Sequence, residues 1–269
     1  MAETRPTTNI NRISMVAAAI LLSYSLAGFL QLPAGSIAIH LPGFYAALQI
    51  NVQVAIVFLV TGMAATGTDW LVREHPSFKG RFTIQHWLLP ALTAWGIGML
   101  LLQQPYGLLW WMVYGVGGAV LIWVLTAEYM VVDPDDVRHV PATIGLTAIS
   151  FALFLVLTVT IRAMETRLFI LTPTITLAAA LTSLRALHLR LHGQWAFIPA
   201  GVISLIIGQL CSALNYLPVG PIAFGLFLLG PAYALTSFIG GLLENKTWRQ
   251  VAAEPITVLV IVWGIAASL

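Results

Sequence analysis

Gly107-LLWWMVYGVGGAVLIWVLT-Ala127 is a run of 21 residues without one charged side chain. A helix rises about 1.5 Å per residue, so the run spans roughly 30 Å, the thickness of a bilayer's hydrocarbon core. Backbone amides cannot stay unpaired in lipid, and a continuously apolar run satisfies them as a helix. Alternating strands of an outer-membrane barrel would read differently, apolar at every second position.

Working outward, the same reading gives eight further spans. They are Ile13 to Leu30, Ala46 to Thr66, His86 to Leu102, Ala142 to Ile161, Leu168 to Leu187, Trp195 to Ser212, Pro221 to Leu242 and Val251 to Leu269. The last carries Glu254 and is the weakest. Ser25-Leu26-Ala27 fits a signal-peptidase site, but the apolar run continues past it, which favours an uncleaved helix. Gln31 to Phe44, broken by Pro33 and Pro42, is too short to span and is expected at the outer interface or folded over the bundle.

Composition agrees. Apolar residues make up 59% of the chain and charged residues 8%, against about 25% in a soluble domain. Mean hydropathy is +0.92. No polar stretch separates the runs, so one membrane domain covers residues 1–269, and no internal repeat is evident. No basic stripe with aromatics suggests nucleic acid. Cys211 is the single cysteine, so it forms no internal disulfide, and it reads as a small packing residue.

Loop charges orient the bundle. With the N-terminus in the cytoplasm, the inner side receives Arg5, Arg12, Arg73, Lys79, Arg81, Arg138, Arg185, Arg190, Lys246 and Arg249. The outer side receives only Arg162 and Arg167. Ten against two is the bias expected of inner loops. The expectation is an all-α polytopic bundle of about nine spans, N-terminus cytoplasmic and C-terminus outside. Trp110 and Trp111 fit an outer aromatic belt.

The densest polar loop holds Glu128, Asp133, Asp135 and Asp136, followed by Arg138 and His139. Paired carboxylates can bind a divalent cation or exchange protons, which makes these four the candidate catalytic residues. Asp-Pro-Asp-Asp is equally good turn and cap chemistry, and the second acidic cluster needed for a metal-diphosphate site is missing. Glu128, at the end of span four, is the most interesting member, since an acid at membrane depth is a functional hypothesis by default. Asp69, after span two, has the same ambiguity.

Gln49, Asn51 and Gln53 open span two, with Gln49 and Gln53 four apart on one face. Gln209, Ser212, Asn215 and Tyr216 end span seven. These two polar ends are candidate ligand-binding positions that together frame an outward cavity, or else they supply interhelical hydrogen bonds. His188 and His192 have a spacing that can hold a metal, yet Arg185 and Arg190 surround them and no third ligand is evident. A basic edge against anionic lipid is the stronger reading, and no metal site is expected. Pro231 and the glycines at 225, 230, 240 and 241 mark span eight as one that should kink.

Cofactors stay open, apart from two exclusions. Both lysines, Lys79 and Lys246, lie in loops, so a retinal Schiff base in the bundle is excluded. No Cys-x-x-Cys-His exists for covalent haem. Phosphate-loop, zinc-protease and serine-hydrolase motifs are missing too.

Gly67-Thr68-Asp69, Ala127-Glu128-Tyr129 with Val132-Asp133, and Leu214-Asn215-Tyr216 with Pro218 together resemble an uncharacterised family of bacterial multi-pass membrane proteins, classed as a domain of unknown function. The resemblance covers most of the chain and implies a polytopic bacterial inner-membrane protein. It transfers no activity, cofactor or catalytic residue. With few charges at membrane depth, the leading expectation is a non-enzymatic membrane subunit or scaffold that holds a lipid-like ligand. Its partners would be membrane lipids and other membrane subunits. A small-molecule or lipid transporter comes second, and an enzyme acting on a lipid at the cytoplasmic face through Glu128 comes third.

Overall fold

The computed structural model describes residues 10–27, 35–41, 44–50, 52–76, 83–133, 137–191 and 193–269, the stretches 35–41 and 44–50 as backbone only. The chain divides into two compact units, residues 1–132 and 133–269.

The first unit holds α1 (Ile10–Ala27), β1 (Gly35–Leu41), β2 (Phe44–Ile50), α2 (Val52–Arg73), α3 (Ile84–Gln103) and α4 (Leu108–Val131). α3 packs against α2 and α4, and α1 closes the ring against both of those helices. Leu89, Leu92 and Ile97 of α3, Val57, Val60 and Ala64 of α2, Leu121 and Leu125 of α4, and Ile20 of α1 form its buried core. Small residues let the helices approach, as membrane bundles require. A Cβ on Gly98 would lie 2.7 Å from a Val57 methyl, and one on Gly67 would lie 2.7 Å from Val16.

Here the sequence reading needs one correction. Span two does not begin at Ala46. Phe44–Ile50 is a strand paired antiparallel with Gly35–Leu41, from Gly35 opposite Ile50 to Leu41 opposite Phe44. A short apolar run satisfies its amides as well in a hairpin as in a helix, and hydropathy cannot tell the two apart. The helix therefore shifts toward the C-terminus, and Asp69 lies inside its last turn rather than after it.

The second unit holds α5 (His139–Ala163), α6 (Leu168–Arg190), α7 (Phe197–Leu214), α8 (Pro221–Leu243), α9 (Trp248–Val251) and α10 (Ala253–Ser268). α8 is central and packs against α5, α6, α7 and α10. Its glycines make the contacts: a Cβ on Gly225 would come within 2.6 Å of Val159, and one on Gly230 within 3.1 Å of both Leu259 and Trp263. The helix runs unbroken through Pro231. It ends with Asn245 at φ 60, so that Asn245 and Lys246 donate their N–H groups back to Leu242 and Gly241. The last span is divided, because α9 is a single turn capped by Thr247 and Gln250 before α10 begins.

Among the described residues, eight helical stretches, α2 to α8 and Trp248–Ser268, are long and apolar enough to cross a membrane, and α1 is a ninth, shorter apolar helix. The protein is a polytopic helical bundle with one added hairpin.

Candidate functional site

α3 and α4 are antiparallel neighbours joined by a short turn. His86 lies 17 residues before the end of α3, and Glu128 lies 20 residues after the start of α4. At about 1.5 Å per residue the two reach nearly the same depth. They meet there: His86 Nδ1 and Glu128 Oε2 are 2.7 Å apart, with side chains 6% and 0% exposed. The other ring nitrogen of His86 is 3.1 Å from the side-chain amide of Gln85.

Polar groups gather around this pair at the same end of the unit. Asp69 accepts hydrogen bonds from Arg73 Nε at 2.7 Å, from Trp87 Nε1 at 3.2 Å and from the Thr83 hydroxyl. These bonds tie the end of α2 to the start of α3. Arg12 pairs with Glu74 and lies over the Trp70 ring, tying in α1. His75 packs edge-on against Tyr129, with ring centres 4.4 Å apart. Among the described residues, no three His, Cys, Asp or Glu side chains converge as a metal site.

At the opposite end of the unit, a cleft of about 230 Å³ opens between α1, α2, α3 and α4. Val57, Gly98, Leu101 and Leu102 supply apolar wall, while Gln53, Gln104, Tyr24 and Tyr106 supply neutral polar groups. Among the described residues, none that lines it is charged. Trp110 is held between Tyr106 and Tyr114, with ring centres 4.6 and 5.2 Å away. The Tyr24 hydroxyl donates to the Ala94 carbonyl at 2.6 Å. Toward the other end, Leu89, Leu92, Ala94 and Ile97 of α3 are all buried.

The residues singled out from sequence separate accordingly. Glu128 joins a second titratable group, His86, which sequence reasoning had treated only as the start of a span. The shared depth on either side of the 104–107 turn was the signal available. Asp133 follows α4 and is half-buried, while Asp135 and Asp136 lie outside the described residues. Gln49 belongs to β2, opposite Ser36, so it shares no helical face with Gln53. Its side chain and Asn51 lie outside the described residues. Gln53 does line the cleft.

Gln209, Asn215 and Tyr216 are not among the cleft's lining residues. In the second unit, Gln209 is exposed, Tyr216 is 77% exposed, and Asn215 accepts a 2.6 Å bond from Arg162. That cleft is framed by α1 to α4, because its walls are the ends of helices that pack on one another.

The expected lipid-facing edge at Arg185 and His188 is also corrected. Both side chains are buried, at 1% and 3%, and the His188 ring lies 4.5 Å from that of Trp195. Thr182, Arg185 and His188 recur every third residue, a helical face that could have announced this. His192 lies outside the described residues. Arg190 bonds Glu244 at 2.7 Å and the Ser237 carbonyl at 2.9 Å. Lys246 adds a 2.6 Å contact to the same carboxylate. The Arg190 guanidinium, and then Lys246, pull the Glu244 carboxyl down to about 2.

No curated protein and no solved structure matches the chain. A family model does match, over residues 32–269, under the description "Protein of unknown function (DUF5656)". The chain belongs to that family of proteins of unknown function, as a polytopic helical member.

Proposed function

We propose that this protein is a non-enzymatic subunit of a bacterial cytoplasmic membrane, and that its first unit holds an uncharged lipid-like amphiphile. The cleft carries this reading. Its walls are apolar, its rim offers two amides and two phenols, and its described lining residues carry no charge that would call for an ionic headgroup. The ten-to-two distribution of basic residues supports an orientation with the N-terminus inside, which turns the cleft outward.

Passage across the membrane is a weaker reading. Below the cleft, Tyr24 is tied to Ala94, and α3 is buried at Leu89, Pro90 and from Leu92 to Ile97. That geometry supports a seat for a ligand more than a route for one.

Native mass spectrometry of the gently extracted full chain tests this. The expected result is a retained neutral lipid that is lost in Leu102→Trp, which fills the cleft, and weakened in Gln104→Leu. The same spectra weigh any partner subunit. A ligand-free monomer, or adducts of anionic lipid indifferent to Leu102→Trp, refutes the reading.

A further inference from the structure

We propose that the exposed face of α10 docks a transmembrane helix of a different subunit, one that carries a basic side chain at the depth of Glu254. The surface belongs to the second unit, so the proposal rests on the subunit part of the reading above and not on the cleft.

Glu254 is an exposed carboxylate near the start of α10. Contacts on either side of it fix its depth. A Cβ on Gly241 would lie 2.3 Å from Val251, and one on Gly230 would lie 3.1 Å from Leu259. Glu254 falls between those two levels, within the length of α8 and inside the apolar stretch Trp248–Ser268. Acids at such depth almost always face a bundle interior, a wet cavity or an opposite charge. Here the Tyr233 hydroxyl donates to Oε1 at 2.6 Å. A phenol supplies a hydrogen bond but no positive charge. The cations at this end of the unit are engaged with other groups: Arg190 and Lys246 with Glu244, and Arg249 over the Trp248 ring.

The rest of the face suits a neighbouring helix. α10 packs along α8 through Leu259 and Trp263, and Trp248–Ser268 is the least buried of the eight long spans. On the opposite face lie Glu254, Thr257, Ile261, Gly264 and Ser268, all exposed. Their steps of three and four residues are those of a helix–helix seam. The Thr257 hydroxyl is satisfied by the Ala253 carbonyl at 2.8 Å, and a Cβ on Gly264 would meet nothing within 4 Å. Small side chains at these positions let a second helix come close.

Charge selects the occupant. Acyl chains offer the carboxylate nothing. A second copy, docked on this face about a twofold axis along the membrane normal, would set Glu254 against Glu254, and like charges in a low dielectric repel strongly. A Lys, Arg or His on another subunit's helix meets the carboxylate instead, and each charge offsets the cost of the other.

A photo-crosslinking residue at Ile261 of the full chain, in its native membrane, tests this, with the adducts sequenced by mass spectrometry. The expected product is one other subunit, joined through a membrane-spanning segment that holds Lys, Arg or His. The same probe at Ile256, exposed but off that face, should give lipid adducts. Glu254→Gln should reduce the subunit product about tenfold or more, because the partner's charge is left unpaired. Exchanging the charges, Glu254→Lys with the partner's base changed to Glu, should restore it. Lipid adducts alone at Ile261, a crosslink to a second copy of this chain, a segment without a base, or a yield unchanged in Glu254→Gln overturns the proposal. The wild-type adducts decide it even if Glu254→Gln fails to fold. A chain that retains its neutral lipid but crosslinks to no other subunit would sink this interface and leave the cleft reading standing.

Discussion

Gly98→Ala should destabilise the first unit although it adds one methyl to a good helix position. The new Cβ would lie 2.7 and 2.8 Å from the two Val57 methyls and 3.0 Å from Tyr24 Cε1. Ordinary carbon contacts lie at about 3.5–4.0 Å, so the neighbours must yield by roughly 1 Å. Val57 is β-branched and stiff at χ1, and Tyr24 is anchored by its bond to Ala94. The strain passes into the separation of α2 and α3, an overpacking cost of about 1–3 kcal/mol. Gly62→Ala on α2 is the control, since nothing lies within 4 Å of its Cβ position. There the gain in helix propensity, about 0.5–1 kcal/mol, is not opposed. The propensity gain is common to both variants, so their melting temperatures should differ by the overpacking cost, roughly 3–9 °C. The assay is size-exclusion chromatography of heated, detergent-extracted protein. Val57→Ala in the Gly98→Ala background removes the clashing methyls and should recover most of the loss. Equal melting of Gly98→Ala and Gly62→Ala, or no recovery with Val57→Ala, refutes the packing argument.

Two further outcomes concern the second unit. Glu244→Gln should lower the melting temperature at neutral pH by about 2–4 °C, for a partly exposed network worth about 1 kcal/mol. Because the folded carboxyl sits near 2, below its ordinary 4.5, the stabilisation is complete above about pH 4.5 and is lost as pH falls through about 2. Wild-type and variant melting curves should converge in acid, and a gap that stays constant with pH counts against the Arg190–Glu244 pair. Cys211 is the only cysteine and is 0% exposed, so a maleimide should label it only as the surrounding helices open. Prompt labelling of the native protein would contradict the packing of α7 against α6 and α8.

The dyad and the cleft mark the limits of what the sequence carries about function. Glu128 stands out because a carboxylate at the end of an apolar run costs free energy in lipid, and that cost is visible in one residue. Its partner is 42 positions away, and only the turn between α3 and α4 brings the two to one depth. Gln53 was legible as a polar residue at a span's end, but the cleft it lines also needs Tyr24, Gly98 and Trp110, from three other helices. Arg185 shows the converse. Its charge places it at the end of a span, and only packing decides that it is buried rather than set against lipid.

The sequence by itself determined the class of fold and the asymmetry of charge. These follow from a local property, because lipid demands an unbroken apolar helix wherever the chain crosses it. Tertiary structure decided the rest: that Phe44–Ile50 pairs as a strand, that His86 meets Glu128, and that Gln53 lines a cleft with residues of α1, α3 and α4. Each depends on which helix or strand stands beside which. In a chain apolar on nearly every face, hydropathy leaves that choice open, and small-residue contacts such as Gly98 against Val57 make it.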